Sequence, residues 1–257
     1  MATVVEPLLA SGDRCGACSD GITPPFEFSM AFQPVVDLAA GRVYAYEALV
    51  RGPAGESAGS VLGKVTVANR YAFDQSCRVK AIALASRLGV QQAGASLSIN
   101  FIPGAMYRPE NCVRPTLATA RWHQFPADRL IFELTEHEQV TDYAHLERIF
   151  QVYRAHSFRT ALDDFGSGFC GLGLLAHFQP DLVKIDMSLL RGLDTDARRH
   201  AIVNGVVGIC QALSIRVVAE GVETVAELAA LRALGVTLFQ GYLFAKPDFE
   251  TLPQVAF

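Results

Sequence analysis

From Phe26 onwards, short runs of β-branched and apolar residues alternate with longer stretches in which apolar residues return every three or four positions. The short runs predict β-strands, and the longer stretches predict amphipathic helices. Several runs are apolar at almost every position, which is typical of strands that are covered on both faces. The predicted strands cover residues 30–38, 43–50, 96–101, 130–135, 158–163, 182–187, 215–220 and 236–241.

The helical patterns lie between the predicted strands, and this alternation favours a parallel sheet that closes into a barrel. One connection differs. The turn at residues 39–42 is much shorter than the roughly twelve residues that a parallel crossover needs, so the first two strands should form an antiparallel hairpin. The sequence therefore predicts the α/β class and a TIM-like (β/α)8 barrel with one antiparallel strand near its start. The clearest helical patterns cover residues 74–88, 143–155, 198–213 and 225–234.

Composition and charge agree with a globular protein. The 257 residues are 51% hydrophobic and 19% charged, which is too apolar for a disordered chain. No apolar run approaches the roughly 18 residues of a membrane-spanning helix, and the N-terminus lacks the form of a signal peptide, so a cytoplasmic protein is expected. The formal net charge of −4 argues against nucleic-acid polymers as partners. We expect a flexible lead-in at residues 1–25 and one domain at residues 26–257.

Polar side chains cluster where the predicted strands end, which is where barrels of this type carry their chemistry. Strand side chains alternate between two faces, so Asn100 shares a face with Ser98,. By the same alternation Glu133 shares a face with Ile131. We expect these polar faces to point into the barrel. The polar residues at or near strand ends are Glu47, Asn100, Glu133, Asp163, Asp164, Lys184, Asp186 and Glu220.

Carboxylates that meet at the mouth of a barrel raise each other's pKa unless a positive charge lies among them. A divalent metal ion supplies that charge, and carboxylate and amide oxygens without His or Cys favour Mg²⁺ or Mn²⁺ over zinc. The adjacent pair Asp163 and Asp164 predicts two ions if one carboxylate bridges them, an arrangement that catalyses phosphoryl transfer. The alternative for any one of these acids is a helix N-cap. The alternative for Lys184 is a lysine that only neutralises nearby acids.

Eight short motifs follow one another along the chain. They are QPVV (33–36), EALVR (47–51), SINF (98–101), ELTE (133–136), DDFGSG (163–168), KID (184–186), EGVE (220–223) and QGYLFAKP (240–247). With this ordered series, the chain resembles, over roughly residues 28–250, the EAL domain family of phosphodiesterases specific for cyclic di-GMP. The resemblance implies a TIM-like barrel with one antiparallel strand and a homodimer. It also implies hydrolysis of cyclic di-GMP to linear 5′-pGpG by a water molecule that two metal ions, Mg²⁺ or Mn²⁺, activate.

The resemblance implies that the two ions share one ligand, Asp163. The residues that would complete the ligands of the first ion are Glu47, Asn100 and Glu133. Those that would complete the ligands of the second ion are Asp164 and Glu220. In catalysis Lys184 would contact the attacking water and Glu220 would act as its general base. Glu47, the glutamate of the EAL motif, is the third residue of the implied catalytic set.

The resemblance further implies a set of residues that line the binding site of the extended dinucleotide, and a loop that a glutamate anchors. Glu136 would help to anchor the glycine-rich loop at residues 165–171. In that loop the chain has Phe169, Cys170 and Gly171 where the family pattern has Tyr and two serines. This departure concerns the ordering of the loop and its coupling to the dimer, and it leaves the implied metal ligands unchanged. The residues that would line the dinucleotide are Gln33, Leu49, Arg51, Asp186 and Gln240.

Two other functions fit parts of the sequence. The main alternative is a receptor that binds cyclic di-GMP without cleaving it. Degenerate members of the family that act in this way typically lose metal ligands or the glutamate of the EAL motif, and this chain has all of them. Gly166, Gly168 and Gly171 also match the G-x-G-x-x-G fingerprint of dinucleotide-binding folds,. Asp163 and Asp164 lie just before these glycines, with only Phe165 between, and would repel a pyrophosphate. This argues against a nicotinamide cofactor.

Cys15 and Cys18 form a C-x-x-C pair in the predicted lead-in. One interpretation is two reduced thiols in a flexible segment, and a second is a redox pair. A third is a structural Zn²⁺ ion that Cys77 and a fourth ligand would complete. No second C-x-x-C pair follows along the chain, so the sequence leaves these interpretations open.

Overall fold

The computed structural model describes residues 24–135, 142–168, 171–255 and 257. Within these ranges the chain forms nine strands, of which the first eight along the chain build a barrel. The strands are β1 (Ser29–Asp37), β2 (Arg42–Arg51), β3 (Ser96–Phe101), β4 (Leu130–Thr135), β5 (Arg159–Phe165), β6 (Leu182–Ile185), β7 (Arg216–Ala219), β8 (Leu238–Phe239) and β9 (Asp248–Phe249).

The first strand, β1, runs against its neighbours and closes the barrel. It pairs antiparallel with β2 on one side and with β8 on the other. Strands β2 to β8 lie parallel, each beside the next along the chain. The short β9 also pairs with β1, at Ala31 and Phe32. The prediction of a TIM-like barrel with one antiparallel strand near its start is therefore confirmed.

The helices lie between the strands, and the four clearest helical patterns form helices whose bounds differ from the predicted ones by at most four residues. No helix of the described ranges is both long enough and apolar enough to cross a membrane. The helices are α1 (Ala58–Leu62), α2 (Arg70–Arg87), α3 (Pro109–Cys112), α4 (Arg114–Trp122), α5 (Tyr143–Ala155), α6 (Leu172–His177), α7 (Met187–Leu190), α8 (Ala197–Ala212) and α9 (Val225–Ala233).

Two apolar layers hold the fold together. The larger layer lies between the outer face of the barrel and the helices. The smaller one lies inside the barrel and contains Ile131 of β4, Ala161 of β5, Leu182 of β6 and Val218 of β7. Two residues further along each of these strands, the same inward alternation reaches a polar or charged residue, because side chains in a strand repeat every second position. The barrel interior therefore changes from apolar to charged towards the ends of its parallel strands.

One ion pair is buried between α2 and the barrel. The Arg78 guanidinium is fully buried and donates a hydrogen bond to Asp74, one helical turn earlier, whose side chain is 1% exposed. The second carboxylate oxygen of Asp74 accepts a hydrogen bond of 2.9 Å from the backbone N–H of Ile102, just after β3. The Asp74 carboxylate thus accepts hydrogen bonds both from a side chain of its own helix and from a backbone N–H just after β3.

Candidate metal centre

Four carboxylates from separate strands meet at the end of the barrel where the parallel strands finish. Glu47 lies in β2, Glu133 in β4 and Asp163 in β5, and Glu220 directly follows β7. The first three are buried, and the side chain of Glu220 is 14% exposed. Their convergence follows from the parallel arrangement, because equivalent strand ends lie at the same rim of a barrel.

The ammonium of Lys184, in β6, lies at the centre of these carboxylates. Its Nζ lies 3.1 Å from Oε2 of Glu47 and 3.0 Å from Oε2 of Glu133. It lies 2.8 Å from Oδ1 of Asp163 and 2.8 Å from Oε1 of Glu220. Lys184 is 2% exposed. A buried lysine stays an ammonium only where acidic groups offset its burial, and four carboxyl groups contact this one,.

The carboxylates form two groups that share Asp163. Glu47, Glu133 and Asp163 each offer an oxygen within 4.8 Å of the others, and so do Asp163, Asp164 and Glu220. These spacings would allow two neighbouring cations with one bridging carboxylate, the arrangement that the adjacent pair of aspartates led us to expect. The structure also explains how two consecutive residues can face one site, which simple alternation along a strand forbids.

The explanation lies in the backbone of Asp164, whose φ is 55°, in the left-handed region. The pairing of β5 with β6 shifts register between Leu162 and Phe165, so the chain bulges at the two aspartates. A bulge of this kind turns a side chain towards a site that it would otherwise face away from. Asp is one of the few residues that tolerate this conformation.

Neutral side chains orient two of the carboxylates by hydrogen bonds. One of these side chains, Asn100, also has an oxygen that could bind a cation. Asn100 donates from Nδ2 to Oε1 of Glu47 at 3.2 Å, and Gln240 donates from Nε2 to Oε2 of Glu47 at 2.9 Å. The Ser98 hydroxyl donates to Oε1 of Glu133. The buried Oδ1 of Asn100 accepts no hydrogen bond from the described residues. A buried amide oxygen in this state is available as a ligand for a hard cation.

Burial and mutual repulsion set the protonation of the cluster. Burial raises the pKa of Glu133 to about 8 and that of Asp163 to about 6, with neighbouring carboxylates adding to the effect and Lys184 opposing it. Burial, with the charge of Asp163, also raises the pKa of Glu220 well above its usual range. Burial acts on Glu47 in the same direction, but Lys184 and the hydrogen bond from Gln240 outweigh it and lower the pKa of Glu47.

The formal charges of the cluster fit two divalent cations. Five carboxylates against the single ammonium of Lys184 give a charge of −4 when all are ionised. Without a cation, the raised pKa values keep part of the cluster protonated. Two divalent ions carry a charge of +4 and would displace those protons. The oxygen-only donor set suits Mg²⁺ or Mn²⁺.

The predicted dinucleotide-lining residues differ in where they lie relative to Glu47 and in which groups they contact. Gln33 pairs directly with Glu47 across the β1–β2 hairpin. Leu49 and Arg51 follow Glu47 at two-residue intervals in β2, so they extend the same face outwards, with Arg51 about 13 Å from Glu47 at 3.3 Å per residue. The two remaining residues form hydrogen bonds close to the site or to the next helix. Gln240 is buried beside Glu47, and the Asp186 carboxylate accepts a hydrogen bond of 2.9 Å from the backbone N–H of Ser188 as the N-cap of α7.

The family profile described as the EAL domain matches residues 25–247 of this chain. The chain belongs to the EAL domain family. Over 248 residues it is 29% identical to the blue light- and temperature-regulated antirepressor BluF of Escherichia coli K12. The aligned region covers 96% of the chain and 61% of BluF. Over 122 residues it is 36% identical to PdeD of the same organism, a probable cyclic di-GMP phosphodiesterase. This aligned region covers 48% of the chain and 23% of PdeD. The chain thus spans less than two thirds of either relative.

Solved EAL structures share the fold. A standalone versatile EAL protein from Vibrio cholerae O395, in its c-di-GMP bound form, superposes with a TM-score of 0.88 and 51% sequence identity, covering 91% of this chain and 98% of that protein. BlrP1 of Klebsiella pneumoniae, in a complex with manganese and cyclic di-GMP at pH 9.0, superposes with a TM-score of 0.82 and 35% identity, covering 90% of this chain and 58% of BlrP1.

Several residues singled out in the sequence lie outside the described residues of this EAL domain. They include Glu136, expected to anchor a loop, and Cys15 and Cys18, the C-x-x-C pair. Phe169 and Cys170, where the loop departs from the family pattern, also lie outside. Ser98 was not among the predicted site residues, although its position two residues before Asn100 marked it as inward-facing.

Gly221 directly follows Glu220, and both its backbone conformation and its close packing require a glycine at this position. Gly221 has φ of 62°, and a Cβ there would lie 2.5 Å from Cβ of Met187 in α7. We expect Gly221→Ala to lower the free energy of unfolding by about 1–3 kcal/mol, through backbone strain and this overlap. Urea denaturation measures the change. The control is Gly208→Ala in α8, where a Cβ meets nothing within 4 Å, and where equal destabilisation would contradict the account.

The raised pKa values predict how the stability of the metal-free domain depends on pH. Glu133 has a pKa of about 8 in the folded chain, against an ordinary value of 4.5. As the pH rises through this window, the unfolded chain loses its proton first, so stability falls with rising pH. We expect urea denaturation in EDTA to show a steeper fall across this window for the unmutated chain than for Glu133→Gln. Equal slopes for the two proteins would contradict the assigned pKa.

Proposed function

We propose that this chain hydrolyses cyclic di-GMP, opening one of its two phosphodiester bonds to give linear 5′-pGpG. The observation that carries this proposal is the pair of carboxylate groups that share Asp163 and surround Lys184. Two cations bound a few ångströms apart can hold a phosphate and an attacking water together, which is how two-metal phosphodiesterases work. The proposed ligands are Glu47, Asn100, Glu133, Asp163, Asp164 and Glu220.

The relatives support cyclic di-GMP as the substrate. The Vibrio cholerae protein binds c-di-GMP, and BlrP1 binds cyclic di-GMP together with manganese. We propose that the face of β2 that carries Glu47, Leu49 and Arg51 lies along the dinucleotide. Its length of about 13 Å suits an extended ligand. In this arrangement the Arg51 guanidinium would contact a phosphate, which its planar fork of donors fits. Gln33, Gln240 and Asp186 would complete the wall.

The reaction exchanges one bond for another at phosphorus. Two divalent ions, when bound, would lower the pKa of the attacking water and offset the charge that builds on the phosphate oxygens. The water oxygen forms a bond to phosphorus as the bond from phosphorus to the 3′ oxygen breaks. Glu220 accepts the proton of the water, and the leaving 3′ oxygen takes up a proton from solvent. The product carries a 5′ phosphate and a free 3′ hydroxyl.

Lys184 has two proposed tasks in this site. Its ammonium holds four carboxylates in place, and in the reaction it contacts the attacking water and adds positive charge beside the phosphate. Asn100 and Gln240 fix both oxygens of Glu47, so the carboxylate keeps its direction through the reaction. Preorganised groups of this kind cost no reorganisation when charge develops.

Replacing Lys184 separates catalysis from simple neutralisation of the acids. We expect Lys184→Met to lower kcat for cyclic di-GMP hydrolysis about a hundredfold, the usual cost of losing one preorganised charged donor. Mn²⁺ affinity should be kept or increased, because a competing cation is removed. Steady-state kinetics measures kcat, and Mn²⁺ titration measures the affinity for the metal. An unchanged kcat would contradict a catalytic task and leave Lys184 as a lysine that neutralises acids.

The assay that tests the proposal incubates the purified chain with cyclic di-GMP and either Mg²⁺ or Mn²⁺, and separates the products by chromatography. The proposal predicts conversion to pGpG, and EDTA should abolish the conversion. If the chain binds cyclic di-GMP but leaves it unchanged with both metals, the proposal is wrong and the alternative function, a cyclic di-GMP receptor, takes its place. The homodimer and the cytoplasmic location expected from the sequence stay predictions.

A further inference from the structure

A cavity of about 470 Å³ opens at the opposite end of the barrel from the carboxylates. Arg159 begins β5 and Arg216 begins β7, so both lie where parallel strands start. The catalytic acids lie where these strands finish. Arg154, in the last turn of α5, is the third arginine of the lining. The volume lies within the range of cavities that hold small ligands.

A buried tyrosine holds two of these arginines in fixed positions. Tyr44 of β2 is 6% exposed and belongs to the apolar layer inside the barrel. Its hydroxyl accepts a hydrogen bond of 2.9 Å from Nη1 of Arg159. The guanidinium of Arg216 lies over its ring, 4.3 Å from the centroid. Guanidinium groups held in this way lose little side-chain freedom when a ligand binds.

The positive charge of the cavity is only partly neutralised. Arg216 forms an ion pair of 3.2 Å with Asp37. Arg159 donates from Nε to the backbone carbonyl of Asp128 at 2.8 Å, and Arg154 donates to the backbone carbonyl of Gln179 at 3.4 Å. Neither of these two arginines forms an ion pair with a carboxylate among the described residues.

Asp181 contributes a carboxylate to the lining of the cavity itself. Oδ2 of Asp181 accepts hydrogen bonds from the backbone N–H of Thr160 at 2.8 Å and from its hydroxyl at 3.1 Å. This carboxylate is therefore directed to the start of β5. Three arginines against the carboxylates of Asp37 and Asp181 leave an excess positive charge, in a chain whose net charge is −4. Such a local reversal of charge attracts an anion.

We propose that this cavity binds a small phosphomonoester, with the phosphate held by Arg154 and Arg159. Arginine suits this task because its planar fork donates two parallel hydrogen bonds to a phosphate. The volume exceeds what a phosphate group alone would fill, so an organic group would occupy the remainder. The site is separate from the proposed catalytic centre and does not depend on the proposed function.

The test uses isothermal titration of the metal-free full chain in EDTA, with adenosine 5′-monophosphate, inorganic phosphate and adenosine as probes. We expect the monophosphate to bind and adenosine not to bind. Arg154→Gln and Arg159→Gln should each weaken binding of the monophosphate about tenfold, the usual effect of losing one charge-assisted hydrogen bond. Arg87→Gln, an exposed arginine that lies 3.9 Å from Glu250, is the control and should bind as the unmutated chain does.

Several outcomes would overturn the proposal. They are binding of the monophosphate that neither Arg154→Gln nor Arg159→Gln weakens, equal binding of adenosine, and no binding of either phosphate-bearing probe. Arg154 is exposed and its side chain contacts only one backbone carbonyl in the hydrogen bonds described, so its variant should fold even if Arg159→Gln does not. Since no metal or cyclic di-GMP is present, failure here is distinguishable from failure of the hydrolysis assay.

Discussion

Asp163→Asn should reduce kcat/KM for cyclic di-GMP hydrolysis at least about a thousandfold, the largest effect that we expect from a single replacement in this site. Asp163 belongs to both carboxylate groups, whereas each of the other acids belongs to one. Asparagine keeps the shape of the side chain but removes a charge that both proposed ions would share. Steady-state kinetics with Mn²⁺, together with Mn²⁺ titration, would measure the loss of activity and of metal binding.

The matched control for this replacement is Glu147→Gln, in which an exposed carboxylate on α5 becomes an amide. It should leave kcat/KM unchanged, because Glu147 is exposed and belongs to neither carboxylate group. Glu47→Ala should behave like Asp163→Asn. Unmutated activity in both Asp163→Asn and Glu47→Ala would refute the proposed centre. Circular dichroism of each variant would separate a loss of chemistry from a loss of fold.

Asp74→Asn should lower the free energy of unfolding by about 3–5 kcal/mol, because it leaves a buried charge without its partner. The Arg78 guanidinium has no exposed surface, and Asp74 is the carboxylate with which it pairs. The replacement also weakens the acceptor for the backbone N–H of Ile102. Urea denaturation at constant pH measures the loss, and the m-value shows whether the native state stays compact.

Glu110→Gln is the matched control for the buried pair. Glu110 pairs with Arg148 at 2.7 Å, but both side chains are about half exposed. An exposed pair contributes at most about 1 kcal/mol, since water screens its charges. We therefore expect a small change for Glu110→Gln beside the large one for Asp74→Asn. Equal changes for the two variants would contradict the importance of burial for this pair.

Much of the fold could be predicted from the sequence because hydrophobic periodicity reports burial directly. Strands β3 and β4 and helix α5 have the bounds that their patterns indicate, and the short turn after β1 predicted the hairpin. Strand β8 is shorter than its apolar pattern, with two residues in place of six. Just beyond β8 the chain passes close to the backbone of Val222, where a Cβ at Gly241 would lie 2.1 Å from the Val222 carbonyl oxygen, so only glycine fits there.

Most of the elements that the sequence did not predict have six residues or fewer. Helices α6 and α7 have six and four residues, and β9 has two. Helices of this length are not stable alone, so their existence depends on contacts with the rest of the fold rather than on local pattern. The N-cap at Asp186 belongs to α7, and for this residue the sequence left open both a helix cap and a place beside the ligand.

The candidate site was predictable where strand alternation decides direction, and less so where the backbone departs from it. Alternation placed Glu133 and Asn100 inside the barrel, as the structure has them. It did not predict that Asp164 would turn into the site, which requires the left-handed bulge after Asp163. Nor could it predict the four contacts of Lys184, because these depend on side chains from four other strands or strand ends meeting in three dimensions.

The most direct test of two shared ions is a crystal of the unmutated chain grown or soaked in Mn²⁺, measured for anomalous scattering. The account predicts two peaks with Asp163 between them. One peak would lie beside Glu47, Asn100 and Glu133, and the other beside Asp164 and Glu220. A map with no anomalous peak among these side chains, at a Mn²⁺ concentration that supports hydrolysis, would contradict the two-metal centre.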